Sequence, residues 1–421
     1  MRITRRVFGT AAIGSMVLAL VACGGGSSPA AESPDGVDLR MTVWTSNKDQ
    51  LALFNSIADA YRAEHPGVRR ITFDSLPFAD YNSTLTTQIA GGNTPDLAWM
   101  GDISHDLIAA KALVPLTGKL KGTAGWDYGD LVDSVTAEFS RDGELYAYPF
   151  SNSPFALYVN NDLLAKAGQT AGKGELSWEQ VSKIGGAVHA KTGKAGFVIR
   201  DFDYSGWNML GTVWPGWGAS AWNADGTQCG MNSDQMVSAF QFLHNAIYVD
   251  KSMPGPGVKA DFFAGDSAFT IAQVSRATLL DGAFKYSIHP LPTGPSGKYS
   301  VIGQAGVGVL KSSKHVPQAT EFLAYLTNPA NAAKLAQYFP PPRKSLLTGA
   351  KLAAVNKKLS AAQLQAVVID QLNGAVTLPN HTKPAEISQK GKAALDAIWA
   401  EDADIKSVLG KTCDALQPLL K

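Results

Sequence analysis

The chain has 421 residues, of which 45% are hydrophobic and 17% are charged, and its formal net charge is +1. This length exceeds that of one ordinary domain and predicts two lobes of globular size. No basic stripe runs along the chain, so neither nucleic acid nor an anionic membrane surface is expected as a partner.

The N-terminal residues have the composition of an export signal. Three arginines precede an uncharged run over 7–31, and a basic start followed by an apolar stretch is typical of exported proteins. The sequence LVAC at 20–23 resembles a bacterial lipobox. We therefore expect 1–22 to be a lipoprotein signal peptide, and lipid on Cys23 to anchor the mature chain to the outer face of the cell membrane.

Other interpretations of this segment remain open. An uncleaved membrane anchor, or an ordinary signal peptide with an incidental cysteine, would have the same basic start. Its apolar core is, however, shorter than the roughly 20 residues that span a bilayer. The stretch TRRVF at 4–8 also resembles a twin-arginine export signal. Residues 23–37, in which Cys23 is followed by a run of Gly and Ser, are expected to form a flexible tether.

Alternating strands and helices are predicted at the start of the mature chain. Apolar periodicity predicts strands at 39–45, 70–74 and 96–100, and helices at 49–65 and 79–90. This alternation is typical of a parallel sheet covered by helices. An α/β fold is therefore expected for the first lobe.

The middle of the chain is also predicted to alternate strands and helices, and the remainder is predicted to be mostly helical. Ser177 and Gln180 have the spacing of a capping box at the start of a helix. Further strands are predicted at 197–200, 288–291 and 306–310. Further helices are predicted at 234–249, 317–326, 331–338, 361–372, 384–399 and 405–420. The second lobe is thus expected to be α/β as well.

Sequence motifs of catalysis and metal binding are absent. The seven histidines never form an H-x-x-x-H pair, no C-x-x-C occurs, and neither G-x-S-x-G nor a phosphate-binding P-loop is present. No metal, cofactor or enzymatic reaction is therefore expected. The acidic residues Asp201 and Asp203 keep an exported hydrolase open as an alternative.

Two cysteines remain besides Cys23. Cys229 and Cys413 are either bridged, since export places them where a disulfide persists, or they are two separate buried thiols. The even number of cysteines after Cys23 favours the disulfide.

Four tryptophans, Trp207, Trp214, Trp217 and Trp222, lie within sixteen residues among several glycines. An indole offers a broad apolar plane on which the C–H face of a sugar ring can stack, and nearby amides and carboxylates can satisfy the hydroxyls. Because loops often carry function, this segment is predicted to be a binding surface. Packing of the tryptophans in a core is the alternative.

Several segments, in sequence order, resemble those of one protein family. They are TPDLAWM at 94–100, YAYPFSNSPFALYVNNDLLAKAG at 146–168 leading into SWE at 177–179, HPLPTG at 289–294, GQAGVGV at 303–309, and ATEFLAYLTNPANAAKLAQYFPPPR at 319–343. With these segments the chain resembles the family 1 extracellular solute-binding proteins of ABC importers, the maltose-binding-protein-like group. The resemblance covers nearly all of the mature chain.

The resemblance implies a two-lobed periplasmic-binding-protein fold of type II, with hinge crossovers and a ligand cleft between the lobes. Lobe I would comprise 38–150 and 290–340, and lobe II would comprise 151–289 and 341–421. Both later cysteines then fall in lobe II, which supports the disulfide. Closure around the ligand would be a hinge motion, with each lobe supplying part of the site.

The resemblance also places candidate ligand contacts at strand ends, in the tryptophan-rich loop and at the crossovers. They are Trp44, Asn47, Asp102, Asn152, Ser153, Trp207, Trp214, Trp217, Asp281, Gly303, Gln304 and Arg343. Three of them have structural alternatives: Trp44 as a core residue, Asp102 as the cap of the next helix, and Arg343 as the partner of a structural carboxylate.

Together with the export signal, the resemblance implies a monomeric substrate-binding lipoprotein of an ABC importer. It would capture a mono- or oligosaccharide and deliver it to the membrane permease without a cofactor. A binder of glycerol-3-phosphate or of a glycerophosphodiester is the closest alternative, because Arg343 is able to pair with phosphate. A surface adhesin is a more distant one.

Overall fold

A computed structural model describes residues 36–420, except for 173, 205 and 373. The predicted signal peptide, the lipidation site Cys23 and nearly all of the predicted tether lie outside the described residues. Among the residues that are described, no helix is both long enough and apolar enough to cross a membrane.

Strands and helices alternate along the described chain. The strands are β1 (Val37–Val43), β2 (Val68–Ser75), β3 (Leu97–Met100), β4 (Ser140–Arg141), β5 (Glu144–Leu145), β6 (Ala147–Asn160), β7 (Ala195–Ile199), β8 (Ser267–Gln273), β9 (Tyr286–His289), β10 (Val301–Val309) and β11 (Val376–Thr377). The helices are α1 (Lys48–Glu64), α2 (Tyr81–Ala90), α3 (Ser104–Ala109), α4 (Thr117–Gly122), α5 (Asp133–Thr136), α6 (Asn161–Lys166), α7 (Trp178–Thr192), α8 (Asp234–Tyr248), α9 (Val316–Leu326), α10 (Pro329–Leu335), α11 (Gly349–Val355), α12 (Ala361–Leu364), α13 (Asp370–Leu372), α14 (Pro384–Leu395) and α15 (Ile405–Leu416). The predicted helix over 361–372 is interrupted by a π-helical turn at Gln365–Ile369.

The first lobe is built on a parallel sheet, as the sequence predicts. Strand β1 pairs in parallel with β2 and β3, and β10 adds to β3 in the antiparallel direction. Helix α1 covers this sheet with Phe54, Ile57 and Tyr61, all buried, and burial of each contributes about 2 kcal/mol. Because parallel strands end at the same edge of a sheet, the loops that follow β1 and β3 meet there.

The second lobe has its own sheet, in which β8 lies between β6 and β7. Strand β7 pairs with β8 in parallel, whereas β6 pairs with β8 in the antiparallel direction. Helix α7 begins at the predicted capping box, where the Gln180 N–H donates to Ser177 Oγ and the Ser177 N–H donates to Gln180 Oε1. The core of this lobe includes Phe240 and Leu243 of α8 and Leu409 of α15.

The two lobes share strand β6, which is 14 residues long and buried along its whole length. Its first part, up to Pro154, pairs with β10, and its second part, from Phe155, pairs with β8 and β9. The molecule is therefore a two-lobed α/β protein whose lobes are joined through β6 and β10. Leu291 and Val301 pack in the core of the second lobe, so the chain returns to the first lobe after Val301 and not at 290, as the sequence suggested.

A disulfide joins Cys229 and Cys413 within the second lobe. Cys413 lies on α15, and Cys229 lies in the loop before α8, where its N–H donates to Gln417 Oε1 at 2.9 Å. The two cysteines are 184 residues apart in the sequence. The bond therefore attaches the C-terminal helix to the middle of the chain.

Candidate ligand-binding cleft

A cleft of about 620 Å³ opens between the two lobes. The first lobe lines it with Trp44, Asn47, Phe78, Asp102 and Glu138. The crossover strands line it with Ser151, Gly303, Gln304 and Ala305. The second lobe lines it with Arg200, Asp201, Trp207, Gln273, Arg276 and Asn380, among others. A volume of this size is within the range of small-molecule sites.

The aromatic wall of the cleft consists of Trp44 and Phe78. Trp44 follows β1 and is partly buried, and its ring centroid lies 4.9 Å from Tyr81 and 5.0 Å from Trp99 in edge-to-face contacts. The Tyr81 hydroxyl is itself fixed by hydrogen bonds to the backbone carbonyls of Thr42 and Trp99. Phe78 lies 5.8 Å from Trp44 and is 62% exposed. These two rings therefore present apolar surface to the cleft on a rigid base.

Asn47 and Asp102, two of the predicted polar residues, lie on the same wall. Asn47 Oδ1 accepts from the backbone N–H groups of Asp49 and Gln50, so its oxygen caps α1. Asp102 is exposed, and its carboxylate makes no hydrogen bond or ion pair with another described residue. Helix α3 has no side-chain cap, which removes the alternative role of Asp102. Its carboxylate is thus available to accept hydrogen bonds in the cleft.

Glu138 also lies on the first-lobe wall, and the sequence did not indicate it. Its carboxylate accepts a hydrogen bond from Asn380 Nδ2 at 3.0 Å and lies 3.7 Å from His105 Nε2. Burial raises the pKa of the Glu138 carboxyl above its usual value; His105 and the Asn380 hydrogen bond act in the opposite direction, and the Asp102 charge raises it further. No motif surrounds Glu138, and its partner Asn380 is 242 residues away in the sequence.

The floor of the cleft is made by the crossover strands. Gln304 Nε2 donates to Asn152 Oδ1 at 2.7 Å and to the Val135 carbonyl at 2.9 Å, which leaves Gln304 Oε1 as an acceptor without a donor among the described residues. Gly303 lies directly against the end of the Gln273 side chain, because a Cβ there would lie 1.8 Å from Gln273 Nε2 and would displace that flexible amide. Gly303 and Gln304 thus both line the cleft.

Asn152 and Ser153 lie behind this floor and not in the cleft lining. Both are fully buried. Asn152 Nδ2 donates to the Pro149 carbonyl at 2.8 Å, and Ser153 Oγ accepts from the Ser275 N–H at 2.9 Å. The two side chains support the crossover, and the direct ligand contact predicted for them does not fit these positions.

Charged residues of the second-lobe wall pair with one another. Arg276 Nη2 lies 3.2 Å from Asp201 Oδ2. Arg200 Nη1 lies 3.4 Å from Asp261 Oδ1, and Arg200 Nε lies 3.6 Å from Asp201 Oδ1. Asp201 is thus paired with two arginines. In the part of the chain that the structure describes, no group of three or more His, Cys, Asp or Glu side chains is arranged to hold a metal ion.

The tryptophan-rich loop is mainly core packing, which corrects the prediction of a stacking surface. Trp207 belongs to the cleft lining but is only 2% exposed, and its ring lies 6.1 Å from Trp214 and 6.2 Å from Trp222. Trp214 is 3% exposed and packs against Phe240 of α8. Gly391 of α14 makes room for Trp207, since a Cβ there would lie 2.7 Å from the indole nitrogen. The indoles fill the space between these helices and the loop.

Trp217 and Asp281 lie outside the cleft lining. Trp217 lines a separate groove of the second lobe, where its ring centroid lies 4.9 Å from that of Phe242. Asp281 is exposed, and its carboxylate accepts from the Ala283 N–H within a turn. The ligand contacts predicted for these two residues do not fit their positions, because neither side chain reaches the space between the lobes.

Arg343 is fully buried in the first lobe. Its guanidinium lies 4.4 Å from the ring centroid of Trp126 and donates to the backbone carbonyls of Trp126, Asp127 and Thr327. Its Nη1 is also 3.5 Å from Asp130 Oδ2. At this position Arg343 cannot contact a ligand in the cleft, so the predicted ligand contact is wrong. The alternative role, pairing with a structural carboxylate, fits its position beside Asp130.

Comparison with known proteins gives the family. Residues 44–333 match the family described as bacterial extracellular solute-binding protein. The chain belongs to this family. This solute-binding protein is therefore placed among extracellular binding proteins, and its family and fold neighbours are not enzymes.

Relatives of this solute-binding protein extend over most of its length. The arabinooligosaccharide-binding protein of Bacillus subtilis is 24% identical over 334 residues, which cover 74% of this chain and 73% of that protein. An ABC substrate-binding protein of Listeria monocytogenes in complex with cycloalternan matches with a TM-score of 0.80 at 21% identity, covering 91% of this chain and 99% of that chain. UgpB of Mycobacterium tuberculosis in complex with glycerophosphocholine matches with a TM-score of 0.76 at 21% identity, covering 92% of this chain and 99% of that chain. The fold is that of the two-lobed type II periplasmic binding proteins.

Proposed function

We propose that this protein is the substrate-binding lipoprotein of an ABC importer, which captures a mono- or oligosaccharide and delivers it, as a monomer, to the membrane permease. One observation carries the proposal: an aromatic wall and unpaired polar acceptors lie together in the interlobe cleft. Trp44 and Phe78 share a wall with Asp102, and Gln304 lies on the floor. The lipid anchor is inferred from the sequence LVAC at 20–23.

The aromatic wall would supply the apolar part of sugar binding. A pyranose ring has an apolar C–H face, and covering roughly 80 Å² of apolar surface contributes about 2 kcal/mol. The indole of Trp44 is already held by edge-to-face contacts with Tyr81 and Trp99. It therefore loses little conformational freedom when a ligand stacks on it.

The polar residues would satisfy the sugar hydroxyls. A hydroxyl that is buried without a partner is costly, and the Asp102 carboxylate and Gln304 Oε1 are acceptors that no described residue uses. A hydrogen bond to a carboxylate is stronger than one between neutral groups. Asp102 is therefore expected to provide the strongest single polar contact with the ligand.

The charge of the cleft supports an uncharged ligand. Its lining contains three carboxylates, on Asp102, Glu138 and Asp201, and two guanidinium groups, on Arg200 and Arg276. Both arginines pair with aspartates. The name of the Bacillus relative refers to arabino-oligosaccharides, and the Listeria neighbour is in complex with cycloalternan, which supports a saccharide as the ligand.

A glycerophosphodiester is the second candidate ligand. The observation that favours it is the side chain of Arg276, which lines the cleft and is 40% exposed. The Mycobacterium neighbour binds glycerophosphocholine. A phosphate at this position would have to compete with Asp201 for the guanidinium, so we rank this ligand second.

The ligand class is tested by thermal shift and titration calorimetry on the chain from residue 24 onward. The panel contains maltose, maltotriose, arabino-oligosaccharides and glycerophosphocholine, because a ligand that binds the native state raises its melting temperature. A thermal shift with glycerophosphocholine alone would support the second candidate, and the absence of a thermal shift with every saccharide would contradict the proposal. Recovery of unchanged saccharide by chromatography separates binding from hydrolysis.

The aromatic wall is tested by Trp44→Ala. Loss of stacking is expected to weaken affinity for the best saccharide about 30-fold, which corresponds to about 2 kcal/mol. Trp217→Ala is the matched control, because Trp217 is also partly buried but lies outside the cleft. Unchanged affinity in Trp44→Ala, or equal weakening in both variants, would rule out Trp44 as the stacking residue.

A further inference from the structure

The segment 374–383, here called the strap, connects α13 to α14 and is attached to the second lobe. Gly211 packs against Pro379, since a Cβ on Gly211 would lie 2.6 Å from the proline ring. The His381 ring lies 5.4 Å from that of Trp222. These contacts attach Pro379 and His381 of the strap to the second lobe, while Val376 and Thr377 pair with the crossover strand β10.

The second half of the strap contacts the first lobe across the cleft. Asn380 Nδ2 donates to His105 Nδ1 at 2.8 Å and to Glu138 Oε1 at 3.0 Å. The backbone N–H of Lys383 donates to Asp106 Oδ1 at 3.0 Å. His105 and Asp106 lie on α3. Hydrogen bonds from the strap therefore connect the two lobes.

The orientation of the Asn380 amide is fixed by the strap itself. Its Oδ1 accepts from the His381 N–H at 2.9 Å, so Nδ2 is the atom that faces the first lobe. Nδ2 has two hydrogens, one for His105 and one for Glu138. Because Asn380 and Glu138 both line the cleft, this contact lies beside the space for the ligand.

We propose that Asn380 is an interlobe latch, which holds the lobes closed over the solute and positions the Glu138 carboxylate at the cleft. Opening of the lobes about β6 and β10 has to break the hydrogen bonds of Asn380, because the strap that carries Asn380 is attached to the second lobe whereas the acceptors His105 and Glu138 belong to the first. The capture of a solute is the function proposed above. The latch rests on that function, and within it Asn380 controls how long the cleft stays closed.

The expected size of the effect follows from the two hydrogen bonds of the Asn380 amide. Their loss should raise the ratio of open to closed molecules about tenfold. A ligand that prefers the closed form would then leave the cleft about tenfold faster, because affinity changes within one site appear mostly in the dissociation rate.

The latch is tested by single-molecule energy transfer in the chain from residue 24 onward. Fluorophores are attached through unnatural amino acids at Ala63 of α1 and Ala190 of α7, which are exposed. The ligand-free interlobe distance is measured, so the test does not depend on the identity of the solute. Asn380→Ala should raise the ratio of open to closed molecules about tenfold. Asn328→Ala, which removes a helix cap within the first lobe, is the matched control and should leave the distribution unchanged.

A second variant removes the contact from the opposite lobe. His105→Ala should open the lobes in the same direction, and the double variant with Asn380→Ala should open them little further, because both act on one contact. An unchanged distance distribution in both single variants overturns the latch, even where a saccharide binds. With maltotriose as the probe, a dissociation rate about ten times faster in Asn380→Ala supports the latch. If maltotriose does not bind, the distance measurement alone decides on the latch, and the proposed function is judged by the full saccharide panel.

Discussion

Replacing Arg343 with alanine should strongly destabilise the protein and leave its ligand affinity nearly unchanged. The reason is its position: the guanidinium is fully buried and is held by three backbone carbonyls and by Asp130. A residue that contacted the ligand would show the opposite pattern, with a large loss of affinity and a small loss of stability.

The magnitude follows from the groups that the substitution leaves behind. A buried acceptor without a donor costs about 1–3 kcal/mol. The carbonyls of Trp126 and Thr327 lose their donor, whereas the Asp127 carbonyl still accepts from the Asp130 N–H at 3.3 Å. Asp130 remains partly satisfied, because it still accepts from the N–H and the hydroxyl of Ser345. A cavity beside Trp126 adds to the cost. The free energy of unfolding should therefore fall by about 3–5 kcal/mol, the usual range when one member of a buried ion pair is removed.

The assay is guanidinium chloride unfolding of the ligand-free protein, followed by tryptophan fluorescence. Titration calorimetry with the best saccharide, well below the melting temperature, gives the affinity. Arg276→Ala is the matched control: it removes an arginine that is 40% exposed in the cleft and should change stability by less than about 1 kcal/mol.

Two results would refute this reasoning. A loss of stability below about 1 kcal/mol in Arg343→Ala would mean that the buried hydrogen bonds contribute far less than their usual amount. A loss of affinity of tenfold or more, with stability intact, would place Arg343 in the ligand site and return it to the role that the sequence suggested.

Two further predictions concern the disulfide and the cleft floor. Replacing Cys229 and Cys413 together with serine should lower the free energy of unfolding by about 3–5 kcal/mol, because the bond closes a long loop. A reducing agent should lower the melting temperature of the unaltered protein to that of the double variant, and no response to reduction would contradict the bond. Gly303→Ala should displace the flexible end of Gln273 and weaken ligand affinity several-fold, with little change in melting temperature; unchanged affinity in calorimetry would show that this part of the floor does not contact the ligand.

The family resemblance placed Trp44 and Asp102 at strand ends facing the cleft, and the strand pattern accounts for their shared position. Trp44 and Asp102 follow β1 and β3, and the ends of parallel strands meet at one edge. Both line the cleft, and their contact with a ligand stays a prediction. Gly303 and Gln304 also line it, because β10 is a crossover strand.

The tryptophan-rich loop shows where sequence reasoning failed. A run of indoles among glycines has the same composition whether the rings face a ligand or fill a core. Trp207 and Trp214 became core because α8 and α14 pack against them, and this contact joins distant parts of the chain. Phe78 was missed for a simpler reason: one exposed phenylalanine in a short loop has no periodic pattern.

Arg343, Glu138 and Asn380 depend on contacts that no local pattern contains. The buried donors of Arg343 meet carbonyls more than 200 residues earlier in the chain. The amide of Asn380 meets an acceptor that is 242 residues away. Burial and pairing of this kind depend on the assembled fold, and a single sequence does not report them.

The shared strand β6 has a consequence for any attempt to divide the molecule. Since one half of this strand completes the sheet of each lobe, a cut on either side would leave one fragment with an unpaired strand edge, and exposed edges favour aggregation. The two lobes therefore cannot be separated without breaking a sheet, and a deletion or domain exchange has to retain the whole of this strand.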